Sequence, residues 1–193
     1  MKHKLIAIFL LVALLISPLA YSSDFVKGLK AYNKGDYQQA YGIFRSLAED
    51  GDSSAQFNLG LMYYEGQGIP QNDVEAIRWY RAAAEQGHAK AQFNLGNRYA
   101  HGRGVAQNYV EAVRWFRDAA EQGYANAQYN LGVMYAQGQG VPQDYVRSHM
   151  WINLAASQGD QDAAKARDAL AKIMTPAQIQ EAQRLAQEWV NSR

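Results

Sequence analysis

Apolar residues recur along this chain at the spacing of α-helices. Ala55, Leu59 and Tyr63 fall at i, i+4 and i+8, which places them on one stripe of a helix. Further along, Ala76 and Trp79 fall at i and i+3, again on one helical face. The polar residues between them would then face away from these stripes. The pattern predicts two amphipathic helices in succession and no β-strand.

Turn residues separate the two predicted helices. Gly66 predicts the end of the first helix, because glycine is the favoured left-handed residue just past a helix. Asn72 or Asp73 can cap the start of the second helix with a side-chain oxygen. Gly87 closes the pair, so one unit of the chain is a helix, a turn and a second helix.

This unit is repeated. The motif Ala-Gln-Phe/Tyr-Asn-Leu-Gly begins at Ala55, Ala91 and Ala127, at intervals of 36 residues. The same interval relates three tryptophans, namely Trp79, Trp115 and Trp151. A strict period in this range, filled with helix-forming residues, predicts stacked helix pairs in a solenoid.

The segments outside the repeats predict the ends of the solenoid. Thr175 and Gln178 have the spacing of a capping box, and Pro176 suits the first position of a closing helix. The predicted organisation is a signal peptide at 1–22, a leading helix pair at 23–52, repeats at 53–88, 89–124 and 125–160, and C-terminal capping helices at 161–193.

The N-terminus has the pattern of a secretory signal. Basic residues at 1–4 precede an apolar run at 5–16, and small residues at Ala20 and Ser22 predict cleavage after Ser22. An uncleaved anchor is the alternative, but this run is shorter than the roughly 20 apolar residues that span a bilayer. The chain has no cysteine, and hence no disulfide and no lipidated N-terminal Cys. We expect a periplasmic or secreted protein without stable membrane insertion.

Charge argues against two classes of partner. The chain has 19 Lys and Arg and 18 Asp and Glu, and removing residues 1–22 with Lys2 and Lys4 leaves 17 basic residues against 18 acidic ones. The basic residues are spread singly rather than clustered, as phosphate binding requires. We therefore expect no nucleic-acid partner and no membrane-surface helix.

Four elements of the repeat together resemble a known family. The strings Ala-Gln-x-Asn-Leu-Gly, Met-Tyr, Gly-x-Gly-Val-Pro-Gln-Asp and Ala-x-x-Trp-x-x-x-Ala-Ala-x-x-Gly resemble Sel1-like repeats, relatives of the tetratricopeptide repeats. The resemblance covers about residues 53–160, and the leading segment looks like a looser tetratricopeptide unit. It implies an all-α, right-handed α/α solenoid of stacked antiparallel helix pairs with a capping helix. It also implies an adaptor or scaffold role without a common catalytic residue.

Candidate chemical sites have simpler structural interpretations. The three repeated tryptophans are predicted to pack in the core, and the Gly-x-Gly loops to connect helices, because a nucleotide-binding loop follows a strand. His88, His101 and His149 are scattered, and no zinc-protease or serine-nucleophile motif occurs. We predict no catalytic, cofactor or metal site, and no enzyme activity.

The remaining candidates lie on the first helix of each repeat, away from its apolar stripe. They are predicted to face a binding groove on the concave side, with Met62, Arg98 and Met134 as its anchors. The full set is Asn58, Leu61, Met62, Glu65, Asn94, Asn97, Arg98, His101, Asn130, Val133, Met134 and Gln137. A solvated face with structural asparagines is the alternative interpretation.

These residues predict a protein or peptide partner, whose identity the sequence leaves open. Two other functions remain as alternatives. One is a penicillin-binding or β-lactamase-like hydrolase, although the exported family members so described carry a cysteine pair in each repeat and this chain has none. The other is a structural, self-assembling role in the envelope.

Overall fold

The structure is a computed structural model that describes residues 18–193, with side chains from residue 23 onward. Most of the predicted signal peptide, residues 1–17, lies outside the described residues. The described part contains ten α-helices and no strand. The helices are α1 (Pro18–Asn33), α2 (Tyr37–Glu49), α3 (Ser53–Glu65), α4 (Asp73–Glu85), α5 (Ala89–His101), α6 (Tyr109–Glu121), α7 (Ala125–Gln137), α8 (Tyr145–Ser157), α9 (Gln161–Ala171) and α10 (Pro176–Asn191).

The helices pack in sequential pairs. Helices α3 and α4, α5 and α6, and α7 and α8 form three equivalent pairs, and α1 with α2 forms a leading pair. Each pair joins the next through its second helix, which packs on the first helix of the following pair. At the C-terminal end α8 is covered by both α9 and α10. The predicted all-α solenoid is confirmed.

The helix ends follow the predicted turn chemistry. Helices α3, α5 and α7 each end at a left-handed glycine, with φ of 68° at Gly66, 65° at Gly102 and 67° at Gly138. Asn72, rather than Asp73, caps α4 and accepts hydrogen bonds from two backbone nitrogens. Thr175 forms the predicted capping box at the start of α10. These local signals fix the helix ends at which they occur.

The core consists of apolar clusters between successive helices. Trp115 and Trp151 are buried as predicted, whereas Trp79 is half-buried against the cluster of α2 and α3. Trp115 packs with Tyr80 and Leu95, which belong to α4 and α5. Each cluster therefore spans neighbouring pairs, and the pairs stabilise one another by burying apolar surface that one pair alone would expose.

A buried glutamine in each repeat connects three helices. The Gln56 side chain donates to the Ala48 carbonyl at 3.2 Å and accepts from the Gln86 side chain at 2.8 Å. The same contacts recur one and two repeats later, at Gln92 with Gln122 and at Gln128 with Gln158. Buried amides are stable only when hydrogen-bonded, so the glutamine of the repeated motif fixes how each repeat stacks on the last. The 36-residue period by itself does not indicate this role.

The first residue before α5 makes stability depend on pH. His88 caps α5, with Nδ1 accepting a hydrogen bond from the Ala91 nitrogen at 3.2 Å, and its ring stacks on Phe57. Burial lowers the pKa of His88 below its ordinary value of 6.5. The pKa of His88 is therefore lower in the folded state than in the unfolded state. This difference stabilises the folded protein above pH 6.5, and the stabilisation is lost as the pH falls through the folded-state pKa.

We expect His88→Asn to reduce the loss of stability between pH 7.5 and pH 5.5. Asparagine caps α4 and α6, does not titrate and can accept the same bond. Urea unfolding at the two pH values measures the effect, with His101→Asn at an exposed position as the control. Burial also lowers the pKa of His149, so part of the acid sensitivity will remain. An unchanged pH dependence in His88→Asn would contradict the capping role.

Candidate functional site

The structure corrects the orientation predicted for Met62, Arg98 and Met134. These side chains are buried, with only 0%, 7% and 4% of each residue exposed, and they do not form an exposed strip. The reason is geometric, because the first helix of each repeat packs against the second helices on both sides of it. Its buried arc is therefore wider than the stripe of Ala55 and Leu59 that the spacing indicated.

The other candidates are spread over the face formed by α3, α5 and α7. Exposed positions are Glu65, His101 and Gln137, and half-buried positions are Asn58, Leu61, Asn94, Asn97, Asn130 and Val133. Glu65 accepts a hydrogen bond from the Tyr32 hydroxyl at 3.2 Å, and Asn58 donates to the Ser54 carbonyl of its own helix at 2.7 Å. These two side chains therefore have structural partners already.

Half of the predicted residues line one cavity. It has a volume of about 290 Å³ and lies between α5 and α7. The predicted residues in its lining are Asn97, His101, Asn130, Val133, Met134 and Gln137. Tyr109 and Phe116 of α6 also contribute to the lining. We call this cavity the amide groove. The other six predicted residues do not line it, namely Asn58, Leu61, Met62, Glu65, Asn94 and Arg98.

A small residue keeps the amide groove open. Ala100 lines the groove, and the equivalent residue one repeat earlier is Tyr64. The Tyr64 ring is covered by the Arg98 guanidinium, whose carbon lies 3.8 Å from the ring centroid. The tyrosine and arginine thus occupy the space between α3 and α5 that alanine leaves free between α5 and α7. The position of the groove depends on this difference between repeats.

Two asparagines from neighbouring repeats meet in the groove. The Asn130 Nδ2 donates to the Asn97 Oδ1 at 3.4 Å. This contact leaves the Asn97 amide nitrogen and the Asn130 amide oxygen without a hydrogen-bond partner among the described residues. His101 is held beside them by a hydrogen bond between its Nδ1 and the Asn97 carbonyl at 2.9 Å. The pair offers free N–H donors at Asn97 and a free acceptor at Asn130, the two kinds of group that the edge of a peptide unit also has.

The lining carries no formal charge and no catalytic set. Among the residues that line the amide groove there is no aspartate, glutamate, lysine, arginine, serine or cysteine. Within the described residues, no three side chains of the metal-binding types lie close enough together to hold an ion. What the lining provides is a set of amides, a histidine and aromatic surface, which suits binding by hydrogen bonds and apolar contact.

The buried Arg98 is a separate feature of the same helices. Its Nη1 lies 3.7 Å from the Asp73 Oδ1, and its Nε and Nη1 have no hydrogen-bond partner among the described residues. Equivalent positions in the other repeats hold Met62 and Met134. The arginine therefore links α5 to α3 and α4 within the core and is not available to a partner.

Comparisons with known proteins agree with this architecture. The family model of the Sel1 repeat matches residues 53–88, 89–124 and 125–160. The solved structure of c5321, a protective antigen present in uropathogenic Escherichia coli strains that displays an SLR fold, has a TM-score of 0.81 and 34% identity. That match covers 89% of this chain and 38% of c5321. A Sel1 repeat protein from Oxalobacter formigenes has a TM-score of 0.73 and 36% identity, over 92% of this chain and 76% of that protein.

Shorter matches link the chain to curated proteins. One is the candidate beta-lactamase HcpC of Helicobacter pylori, 38% identical over 45 residues, which are 23% of this chain and 16% of HcpC. The chain spans a fifth or less of the length of the curated relatives that it matches. Among residues 18–193 we find no helix with the length and apolar content needed to cross a membrane.

Proposed function

The chain belongs to the Sel1 repeat family, and on that premise we propose that it is an exported binding module, an adaptor or scaffold. Its ligand is an extended segment of another protein, held in the amide groove between α5 and α7. The observation that carries this proposal is the Asn97–Asn130 pair at an uncharged cavity.

An extended peptide matches the two free groups of this pair. The Asn97 amide nitrogen can donate to a backbone carbonyl, and the Asn130 amide oxygen can accept from a backbone N–H. Both asparagines stand on stacked helices that end at left-handed glycines, so the groove is organised before the ligand arrives. Such preorganisation lowers the entropy that association costs.

The proposed location is the periplasm or the outside of the cell. It is supported by the basic start, the short apolar run at 5–16 and the small residues before Ser23. An intact mass of the protein recovered from the envelope fraction checks whether residues 1–22 have been removed.

We propose that the protein is not an enzyme. The beta-lactamase name of HcpC belongs to a protein of which this chain matches only 16%. The amide groove is lined by neither a nucleophilic serine or cysteine nor a carboxylate. A chromogenic β-lactam assay with the purified protein tests the alternative directly, and turnover would overturn the proposal.

We expect Ala100→Tyr to abolish partner capture while the fold is retained. The new ring would fill the amide groove as Tyr64 fills the equivalent space one repeat earlier. Affinity capture from an envelope extract compares the variant with the wild-type protein. Circular dichroism and urea unfolding establish that the helices and their stability are kept.

Ala177→Tyr is the matched control, because Ala177 is exposed on α10 and lies away from the groove. It makes the same chemical change and should capture the same proteins as the wild type. Capture that survives in Ala100→Tyr, or that is lost equally in both variants, would show that the amide groove is not the binding site.

A further inference from the structure

A second cavity adjoins the amide groove along α7. This cavity has a volume of about 320 Å³ and lies among α7, α8 and α9. Val133 and Gln137 line both cavities, so the two share a wall. Several residues that line the second cavity lie 36 positions after residues that line the first. Leu170 is equivalent to Met134, and Ile173 is equivalent to Gln137. The two adjoining cavities occupy equivalent places in successive repeats, and we call them compartments of one groove.

The character of the groove changes between the compartments. Asn97 is replaced by Val133 and Asn130 by Ala166, so the second compartment has no asparagine pair. Its walls are mainly aliphatic, with Ile152 and Leu170 buried and only Gln137 and Ser148 polar. Ile173 stands at its rim with 64% of the residue exposed. We call this the aliphatic compartment.

Neither compartment carries a formal charge. The linings contain no aspartate, glutamate, lysine or arginine, although such residues make up 19% of the chain. A charged ligand group would lose its hydration in this groove without gaining an opposite charge, which costs free energy. An uncharged ligand loses nothing of this kind, and an aliphatic group gains by covering the exposed isoleucine.

From these features we infer the class of ligand, and this inference rests on the proposed function. The ligand is an uncharged, extended peptide segment. Its backbone lies against Asn97 and Asn130, and one of its aliphatic side chains occupies the compartment formed by Val133, Leu170 and Ile173. The two compartments thus bind different parts of the ligand. The asparagine amides bind the backbone of any peptide, and the aliphatic compartment selects a side chain.

A displayed library of random peptides tests the class of ligand. The purified protein is immobilised and the bound peptides are sequenced. We expect enrichment of sequences that carry an aliphatic residue within a stretch free of Asp, Glu, Lys and Arg. Enrichment of acidic or basic sequences would overturn the inference.

Ile173→Ser tests the aliphatic compartment with an enriched peptide as the probe. Removing apolar surface that the peptide covers should weaken binding by about tenfold, measured by fluorescence anisotropy. Val74→Ser is the control, because Val74 is 65% exposed, close to the 64% of Ile173, but lies on α4 outside both compartments. Both changes are at exposed positions, so both variants should unfold at the wild-type urea concentration. Equal affinity in Ile173→Ser and the wild type would overturn the inference.

The set of variants separates the two proposals. If Ala100→Tyr abolishes peptide binding and Ile173→Ser leaves it unchanged, the binding site stands and the aliphatic selection is wrong. If Ala100→Tyr has no effect on peptide binding, the proposed function itself is wrong. Light scattering tests the alternative that a second copy of the chain occupies the aliphatic compartment. A dimer that dissociates in the Ile173→Ser variant would support this alternative and overturn the inference.

Discussion

Gly140→Ala is expected to destabilise the protein by about 2–5 kcal/mol, from two separate causes. Gly140 has a φ of 71°, in the left-handed region where an L-residue costs roughly 1–2 kcal/mol. An added Cβ would also lie 2.8 Å from the Val110 nitrogen and closer still to the Tyr109 carbonyl. These are backbone atoms at the start of α6, so they cannot rotate aside, and such overpacking costs about 1–3 kcal/mol more. Urea unfolding measures the sum.

Gly159→Ala separates the two causes. Gly159 has a φ of 94°, but nothing lies within 4 Å of the Cβ that alanine would add. This variant has the backbone strain without the overlap and should lose only about 1–2 kcal/mol. If the two variants lost the same stability, the contact of Gly140 with α6 would have no energetic importance.

The expected difference shows what the Gly-x-Gly loops do. The first glycine of each loop ends a helix, which the sequence predicted from local chemistry alone. The second lies against the start of the second helix of the preceding unit, as Gly68 does at Tyr37 and Gly140 at Tyr109. No local pattern indicates a contact between segments about thirty residues apart, and only the stacking of the repeats brings them together.

The helix pairs themselves follow from short-range signals. Gly66, Asn72 and Thr175 act through their own backbone conformation or their own hydrogen bonds, and so their roles could be predicted from the sequence. The 36-residue period added the stacking, because equivalent residues must occupy equivalent places. The described helices agree with both kinds of prediction.

The candidate groove was only partly predictable. The period indicates which positions are equivalent, and three of the predicted residues, Asn97, Asn130 and Gln137, line one cavity. It does not indicate which equivalent interface is open, because that depends on side-chain volume in three dimensions. Ala100 leaves open the space that Tyr64 fills one repeat earlier. The sequence shows this exchange of residues, but only the structure shows that it opens a cavity.

Burial was predicted wrongly at one position of each repeat. A single stripe at i, i+4 and i+8 describes a helix with one packed side, whereas α5 is packed on the sides of α4 and α6. Met62 and Met134 are apolar and suit the interior, so their burial is easily understood. Arg98 is the exception, since it brings a charge to the position that methionine holds elsewhere.

The structure offers a specific reason why the arginine is tolerated. Asp73 faces Arg98, whereas the residues equivalent to Asp73 are Tyr37 and Tyr109, which share apolar clusters with Met62 and Met134. Two repeat interfaces therefore hold a methionine with a tyrosine, and one holds an arginine with an aspartate. The exchange of both residues together suggests that they act as a pair.

Asp73→Tyr alone is expected to cost about 2–3 kcal/mol, because it leaves the Arg98 guanidinium buried without a carboxylate. This lies below the usual cost of breaking a fully buried pair, since the Asp73 side chain is 39% exposed. Arg98→Met alone should cost less, about 1 kcal/mol, because the Asp73 side chain is 39% exposed and water reaches part of its carboxylate, although its Oδ1 is buried. The double variant should be at least as stable as the wild-type protein. It replaces an ion pair of 3.7 Å, in which two guanidinium nitrogens lack hydrogen bonds, with the methionine and tyrosine that the other repeats hold.

Urea unfolding of the wild-type protein, the two single variants and the double variant gives the coupling energy between Asp73 and Arg98, which should be about 2 kcal/mol or more. Losses that simply add would show that Asp73 and Arg98 stabilise the protein independently.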